Sequence, residues 1–208
     1  YAERLEHFGQ IRGGKLFFPY LSSGSGRGAL VELVDGSVKY DFIIGIGVHL
    51  WGHAHPDLLD TGVDAALSDT VMQGNLQQGA ESESFAQALL GLAQQGGAPL
   101  KHCFLTTAGA LANENALKMA FQKHHPADRI LAFEGCFAGR TLVTGQITDK
   151  AANRDGLPTV LGVDYIPFFD PDDAEGRVAI KVLRGHLARF PRQHAAMFME
   201  LVQGERGS

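Results

Sequence analysis

Thr106-Thr107-Ala108-Gly109-Ala110 sits between an apolar run, residues 101–106, and a stretch of helical periodicity, residues 110–124. Strand, small-residue turn and helix in that order can take an anion. The first N–H groups of a helix have no partners within it, and small side chains let a phosphate come close to them. A tight strand-to-helix turn with no ligand satisfies the same pattern. A second segment, Phe133-Glu134-Gly135-Cys136-Phe137-Ala138-Gly139-Arg140-Thr141, comes after another apolar strand, residues 129–133. It falls at a strand's carboxyl end, where open α/β sheets bind ligands. Phe137, set among small residues, either offers a ring face to a flat ligand or fills the core.

Two further patterns suggest chemistry on paper. His49, His53 and His55 are spaced like metal ligands, but Gly52 and Pro56 interrupt any helix and no matching Cys or carboxylate cluster lies nearby. The expectation is therefore no metal, with the histidines in turns and packing. Gly24-Ser25-Gly26-Arg27-Gly28-Ala29 fits G-x-G-x-x-A, yet the dinucleotide fingerprint needs a helix after it. Here the next residues read as a strand, so this segment is expected to be a flexible turn. Cys103 and Cys136 form no C-x-x-C pair and read as buried, reduced thiols of a cytoplasmic protein.

The elements that must position these groups can be read from composition and rhythm. At 208 residues, 45% hydrophobic and 20% charged, the chain has ordinary globular composition. A net charge of -5 argues against a nucleic-acid surface. No apolar run reaches membrane-spanning length. The polar start carries no secretory signal, and its lack of an initiator Met suggests a chain that begins inside a longer product. The first third reads as irregular except for a hairpin: a strand over 29–34, Asp35-Gly36 as the turn, and a return over 37–44. Helices are expected over 56–68, 82–95, 110–124 and 178–189, and strands over 101–107, 129–133 and 195–202. Residues 149–173, with Pro158, Pro167 and Pro171, read as loop. Alternating strands and helices imply crossover units and a parallel sheet, an α/β fold.

Taken together, these segments resemble the class III, fold-type I, pyridoxal-phosphate aminotransferases, which include the ornithine, acetylornithine, 4-aminobutyrate and lysine epsilon enzymes. Tyr40-Asp41-Phe42, Gly45-Ile46-Gly47-Val48 and Gly52-His53-Ala54-His55-Pro56 look like "Y-x-D … G-I-x-V … G-H-x-H-P". Ala108-Gly109-Ala110-Leu111-Ala112-Asn113-Glu114, with Ala116 and Lys118, looks like "S-G-(T/A)-E-A-N-E-x-A-x-K". Phe137-Ala138-Gly139-Arg140-Thr141 looks like "(Y/F)-H-G-R-T", and Glu200-Leu201-Val202-Gln203-Gly204-Glu205 like "E-P-x-Q-G-E". The four segments occur in family order from Tyr40 to Glu205.

The resemblance implies roles. Gly109 and Ala110 match the residues whose backbone N–H groups hold the cofactor phosphate. Phe137 matches the ring that stacks on the pyridine. Glu200 matches an acidic residue beside the cofactor, and Glu205 a second one that, in some members, pairs with an Arg to gate substrate entry. Lys118 does not match the lysine that bonds the cofactor. That lysine, and the Asp that protonates the pyridine nitrogen, are expected beyond Ser208, so no catalytic residue is assigned within the chain. The departures are Ala108 for Ser, Leu111 for Glu, Ala138 for His, Leu201 for Pro, and Arg206 where a small residue is common. The implied fold is part of the large domain, a mostly parallel sheet flanked by helices, preceded by a segment with a β-hairpin. Residues 1–55 would contribute to the small domain and 56–208 would form an incomplete cofactor-binding large domain. The implied function is transfer of an amino group from an amino acid or amine to a 2-oxo acid, by a cytoplasmic homodimer with no nucleic-acid or membrane partner. The alternative is a non-catalytic remnant or assembly module.

Overall fold

Leu5, Phe8 and Ile11 recur at helical spacing, and the chain opens on α1 (Ala2–Ile11), a helix not expected from so polar a start. The computed structural model describes residues 1–68 and 76–205, so Arg206 lies outside the described residues. Contacts divide the chain into two units, Tyr1–Gly79 and Ala80–Ser208. In the first, β1 (Ser22–Arg27), β2 (Leu30–Leu33) and β3 (Val38–Tyr40) make an antiparallel sheet in the order β1-β2-β3. The hairpin falls at Asp35-Gly36 as expected. Gly36 takes a φ of 80°, and Asp35 Oδ1 accepts the Ser37 N–H at 3.0 Å and the Ser37 hydroxyl at 2.7 Å.

β1 corrects the flexible turn expected over residues 24–29. Ser and Gly are poor strand formers, but a partner supplies the ladder: Gly26 faces Val31 and Arg27 faces Leu30. No helix comes after these glycines, so the dinucleotide pattern lacks its context. The returning strand is shorter than expected. It stops at Tyr40, because Ile44, Gly45 and Ile46 all have positive φ and α2 (Ile44–Gly47) is a single turn. α3 (Pro56–Leu67) begins with proline, whose missing N–H costs nothing in a first turn.

The second unit contains α4 (Ala80–Gln95), α5 (Gly109–Lys123), β4 (Arg129–Phe133), α6 (Thr144–Ile147), β5 (Gly162–Ile166), α7 (Arg177–Arg189) and β6 (His194–Phe198). Its sheet is parallel, in the order β5-β4-β6, and α5 lies against β6 and α7 against β5. This is the α/β architecture expected. Central β4 is an apolar run, with Ile130 and Ala132 fully buried. Leu117 of α5, Ile147 of α6, Ala195 of β6 and Cys136 complete the core around them.

Three expectations fail here for physical reasons. Residues 101–107 form no strand, and five of the seven are exposed. An apolar run becomes a strand only when its N–H and C=O groups find a neighbour, and among the described residues no strand pairs with this one. β5 occupies the expected 149–173 loop, its five residues hidden among prolines. β6 ends at Phe198 instead of 202, leaving Glu200 beyond the strand. In addition, Cys103 is only half-buried, whereas Cys136 is buried; both are free thiols.

Asp164 fastens the three strands together near their amino ends. Its carboxylate accepts two bonds from the Arg129 guanidinium, at 2.7 and 2.8 Å, and lies 2.8 Å from His194 Nε2 and 3.7 Å from His186 Nδ1. The Arg129 guanidinium stacks 3.8 Å over the Phe190 ring. The Arg129 fork holds the Asp164 carboxyl at about 2, below its usual 3.8, against the opposing effect of burial. A carboxylate with a lowered folded pKa stabilises the fold above its unfolded value and loses that contribution as pH falls through the folded one. We expect about 1 kcal/mol, after solvent screening, to disappear between pH 4 and pH 2. Asp164→Asn should cost about 2 kcal/mol at pH 7, because Arg129 then keeps its burial without its counter-charge. Urea unfolding midpoints of the two proteins across this pH range test both numbers; parallel curves would remove Asp164 from the acid response.

Candidate functional site

α5 begins where the small-residue turn predicts. Ala108 is the extended N-cap residue (φ -158°, ψ 151°), Gly109 is the first helical residue, and no side chain caps the helix. The first helical bond runs from Ala112 N–H to Ala108 C=O at 3.0 Å. The Thr106 hydroxyl donates to the same carbonyl at 3.1 Å and so leaves the first-turn N–H groups free. A Ser at position 108 could have capped them; Ala cannot. The donors of Gly109, Ala110 and Leu111 are thus available to an anion, and their dipoles favour negative charge.

Against this helix start lies the turn after β4. Gly139 has φ 134°, and a Cβ there would fall 2.7 Å from Ala110 Cβ and 2.5 Å from Thr144 Oγ1. Only glycine permits that approach. Asn113 donates from its side-chain amide to Ala138 C=O at 2.8 Å, and the Thr141 hydroxyl donates to the Glu114 carboxylate. The buried Thr148 hydroxyl accepts the N–H groups of Ala138 and Gly139, at 3.0 and 3.2 Å, and donates to Gly139 C=O at 2.7 Å. Phe137 therefore sits, half-buried, on a turn attached to the start of α5.

Glu200 and Gln203 reach this turn from beyond β6. Glu200 Oε2 accepts the Phe137 N–H at 2.9 Å, and Gln203 Nε2 donates to Glu134 C=O at 2.9 Å. Glu205 is exposed and pairs with Lys150 at 3.5 Å. Gly109, Ala110, Phe137 and Glu200 are thereby linked within one unit, and Glu205 lies on the same short segment as Glu200. Sequence reasoning missed Thr148, Asn113, Glu114 and Gln203 as supports. Asn113, Glu114 and Gln203 stood inside quoted motifs, but no local signal marks Thr148.

The remaining sequence candidates have other roles. His53 Nε2 lies 2.7 Å from Asp41 Oδ2, and the His49 ring packs 5.0 Å from the His53 ring. The His53 contact holds Asp41 below its usual range. Asp41 Oδ1 also accepts the Ile43 and Ile44 N–H groups, so the pair braces a turn. Among the described residues no three His, Cys, Asp or Glu side chains could hold a metal. Burial pushes the Cys136 thiol up to about 11, which keeps it protonated and unreactive as a nucleophile.

Comparison with known proteins adds identity to this geometry. The family model described as aminotransferase class-III matches residues 17–208. An acetylornithine aminotransferase of Agrobacterium fabrum is 32% identical over 88% of this chain and 43% of its own length. One of Mycolicibacterium smegmatis is 33% identical over 91% and 44%. The chain thus spans less than half the length of the curated relatives it matches. Among solved structures, an ornithine aminotransferase of Toxoplasma gondii superposes with a TM-score of 0.77 at 21% identity, over 98% of this chain and 46% of that one. A pyridoxal-phosphate-bound amine transaminase from an uncultivated Pseudomonas species gives 0.75 at 19%, over 88% and 45%.

Gly139 offers the sharpest mutational test of this geometry. Gly139→Ala adds a Cβ that must displace Ala110 or Thr144 and forces a non-glycine residue to positive φ. We expect a loss of about 2–3 kcal/mol in stability, read by urea unfolding. Gly156→Ala, whose Cβ would meet nothing within 4 Å, should show the backbone cost alone. Equal losses for the two variants would contradict the close approach.

Proposed function

Because the chain belongs to the class III aminotransferases, we propose that it supplies the phosphate and ring half of a pyridoxal-phosphate site in a protein that moves an amino group from an amino acid or amine to a 2-oxo acid. The observation that carries this reading is the uncapped start of α5, with the Phe137 turn fastened against it. The residues present fit the group: free N–H donors for a phosphate and an aromatic ring at the same sheet edge. When bound, the cofactor draws electrons from the substrate and acidifies its Cα–H bond.

The chain's own residues bind and orient. The Gly109 and Ala110 N–H groups hold the phosphate, the open space beside Gly109 leaving room for it. Phe137 stacks on the pyridine ring, with Glu200 beside it. Glu205 gates the substrate, its carboxylate exchanging the Lys150 ammonium for another cation. The same reading makes the protein a cytoplasmic homodimer. Apolar side chains exposed on the first unit, Phe17 at 97%, Phe42 at 91% and Ile46 at 89%, support the dimer, and the two free thiols support the compartment. Among the described residues no helix is long and apolar enough to cross a membrane. The second reading, a non-catalytic assembly module, is favoured by Ala108, which brings no hydroxyl to the phosphate turn.

Spectroscopic titration of the 208-residue chain with pyridoxal phosphate, with inorganic phosphate as competitor, separates the two. Gly109→Asp, whose Cβ would meet nothing within 4 Å, puts a negative charge beside the first-turn N–H groups where the phosphate would sit, and should weaken binding at least tenfold, about 1.4 kcal/mol. Affinity unchanged by this substitution would remove the phosphate assignment and leave the assembly reading. The chain has seven lysines, none at the family's position. Borohydride reduction with the cofactor should therefore label scattered lysines without amino transfer. One lysine labelled stoichiometrically, together with turnover, would show that the chain carries its own nucleophile.

A further inference from the structure

Phe137 is the one side chain of the site whose direction matters, since a ring stacks only if its plane is set. Two successive amides control that direction. The Phe137 N–H is held by Glu200 Oε2 at 2.9 Å and the Ala138 N–H by Thr148 Oγ1 at 3.0 Å. These bonds fix the peptide planes on both sides of the Phe137 Cα, and with them the Cα–Cβ vector. Glu200 in turn is tied down. Its second oxygen accepts the Gly204 N–H at 3.4 Å, closing the segment on itself. Fully buried Gln203 donates to Glu134 C=O, at the other end of the same turn. Both Glu200 oxygens are thus engaged by backbone N–H groups of this chain.

We propose that Glu200, fastened by Gln203, is a positioning residue that sets the plane of the Phe137 ring, acting as a hydrogen-bond acceptor for the Phe137 amide. This rests on the cofactor reading above and changes what Glu200 contributes to it. A carboxylate acting by charge on the ligand must be charged; one acting on an amide needs only an oxygen in place. Glutamine keeps that oxygen.

The experiment measures binding of pyridoxal phosphate and of inorganic phosphate to the full chain and to Glu200→Ala, Glu200→Gln, Gln203→Leu and Phe137→Leu, with hydrogen exchange of the Phe137 amide. Glu200→Ala and Gln203→Leu should raise the pyridoxal phosphate Kd about fivefold, weaken the induced circular dichroism of the bound ring and leave the phosphate Kd unchanged. Phe137 amide exchange should quicken in Glu200→Ala. Glu200→Gln should restore affinity, dichroism and amide protection. Adding Glu200→Ala to Phe137→Leu should cost nothing more. If Glu200→Gln is as impaired as Glu200→Ala, or if the Phe137 and Glu200 losses add in full, the positioning role is overturned while the cofactor reading stands. An unaltered chain that binds no pyridoxal phosphate overturns both.

Discussion

A single buried hydroxyl governs the geometry of the site. Thr148 is 1% exposed, and its side chain satisfies two N–H groups and one carbonyl of the Ala138-Gly139 turn. Such a turn, packed against a helix start, cannot turn to water for its hydrogen bonds. Without that hydroxyl the turn would leave buried polar groups unpaired, each at about 1–3 kcal/mol. With it, the glycine can press against Ala110, and the Phe137 ring and the open N–H groups at the start of α5 share one rigid support.

The two edges of the parallel sheet divide the work. At the amino edge the charges are closed on themselves: Asp164, Arg129 and His194 draw the three strands together. At the carboxyl edge the α5 donors are left open. A helix start without a side-chain cap gives up about 1 kcal/mol of local stability. The tight charge cluster at the opposite edge and the buried core of β4 offset that loss.

Legibility in the sequence tracked the range of the interaction. α5 was readable to within one residue of its start because a small-residue turn and a helical period are local. β4 was readable for the same reason. Residues 101–107 misled because their apolar run says nothing of whether a neighbouring strand is present. β1 misled in the opposite sense: its Ser-Gly composition hides a strand that exists only because β2 pairs with it. The Glu200 bond to the Phe137 amide joins residues 63 apart and uses a backbone group, so no pattern of side-chain types could announce it. Family motifs placed both residues at the site without revealing that they touch.

Cys136 gives the turn a built-in clock. The residue is 1% exposed and sits one position before Phe137, and its thiol donates to Ile147 C=O at 3.1 Å. A protonated, enclosed thiol reacts with an alkylating reagent only in the moments when its surroundings part. Cys103, half-buried on an unpaired segment, should be labelled early, while Cys136 waits for the turn to open. The lag between the two therefore times how often the cradle beneath the aromatic ring breathes, in a chain that carries no added probe.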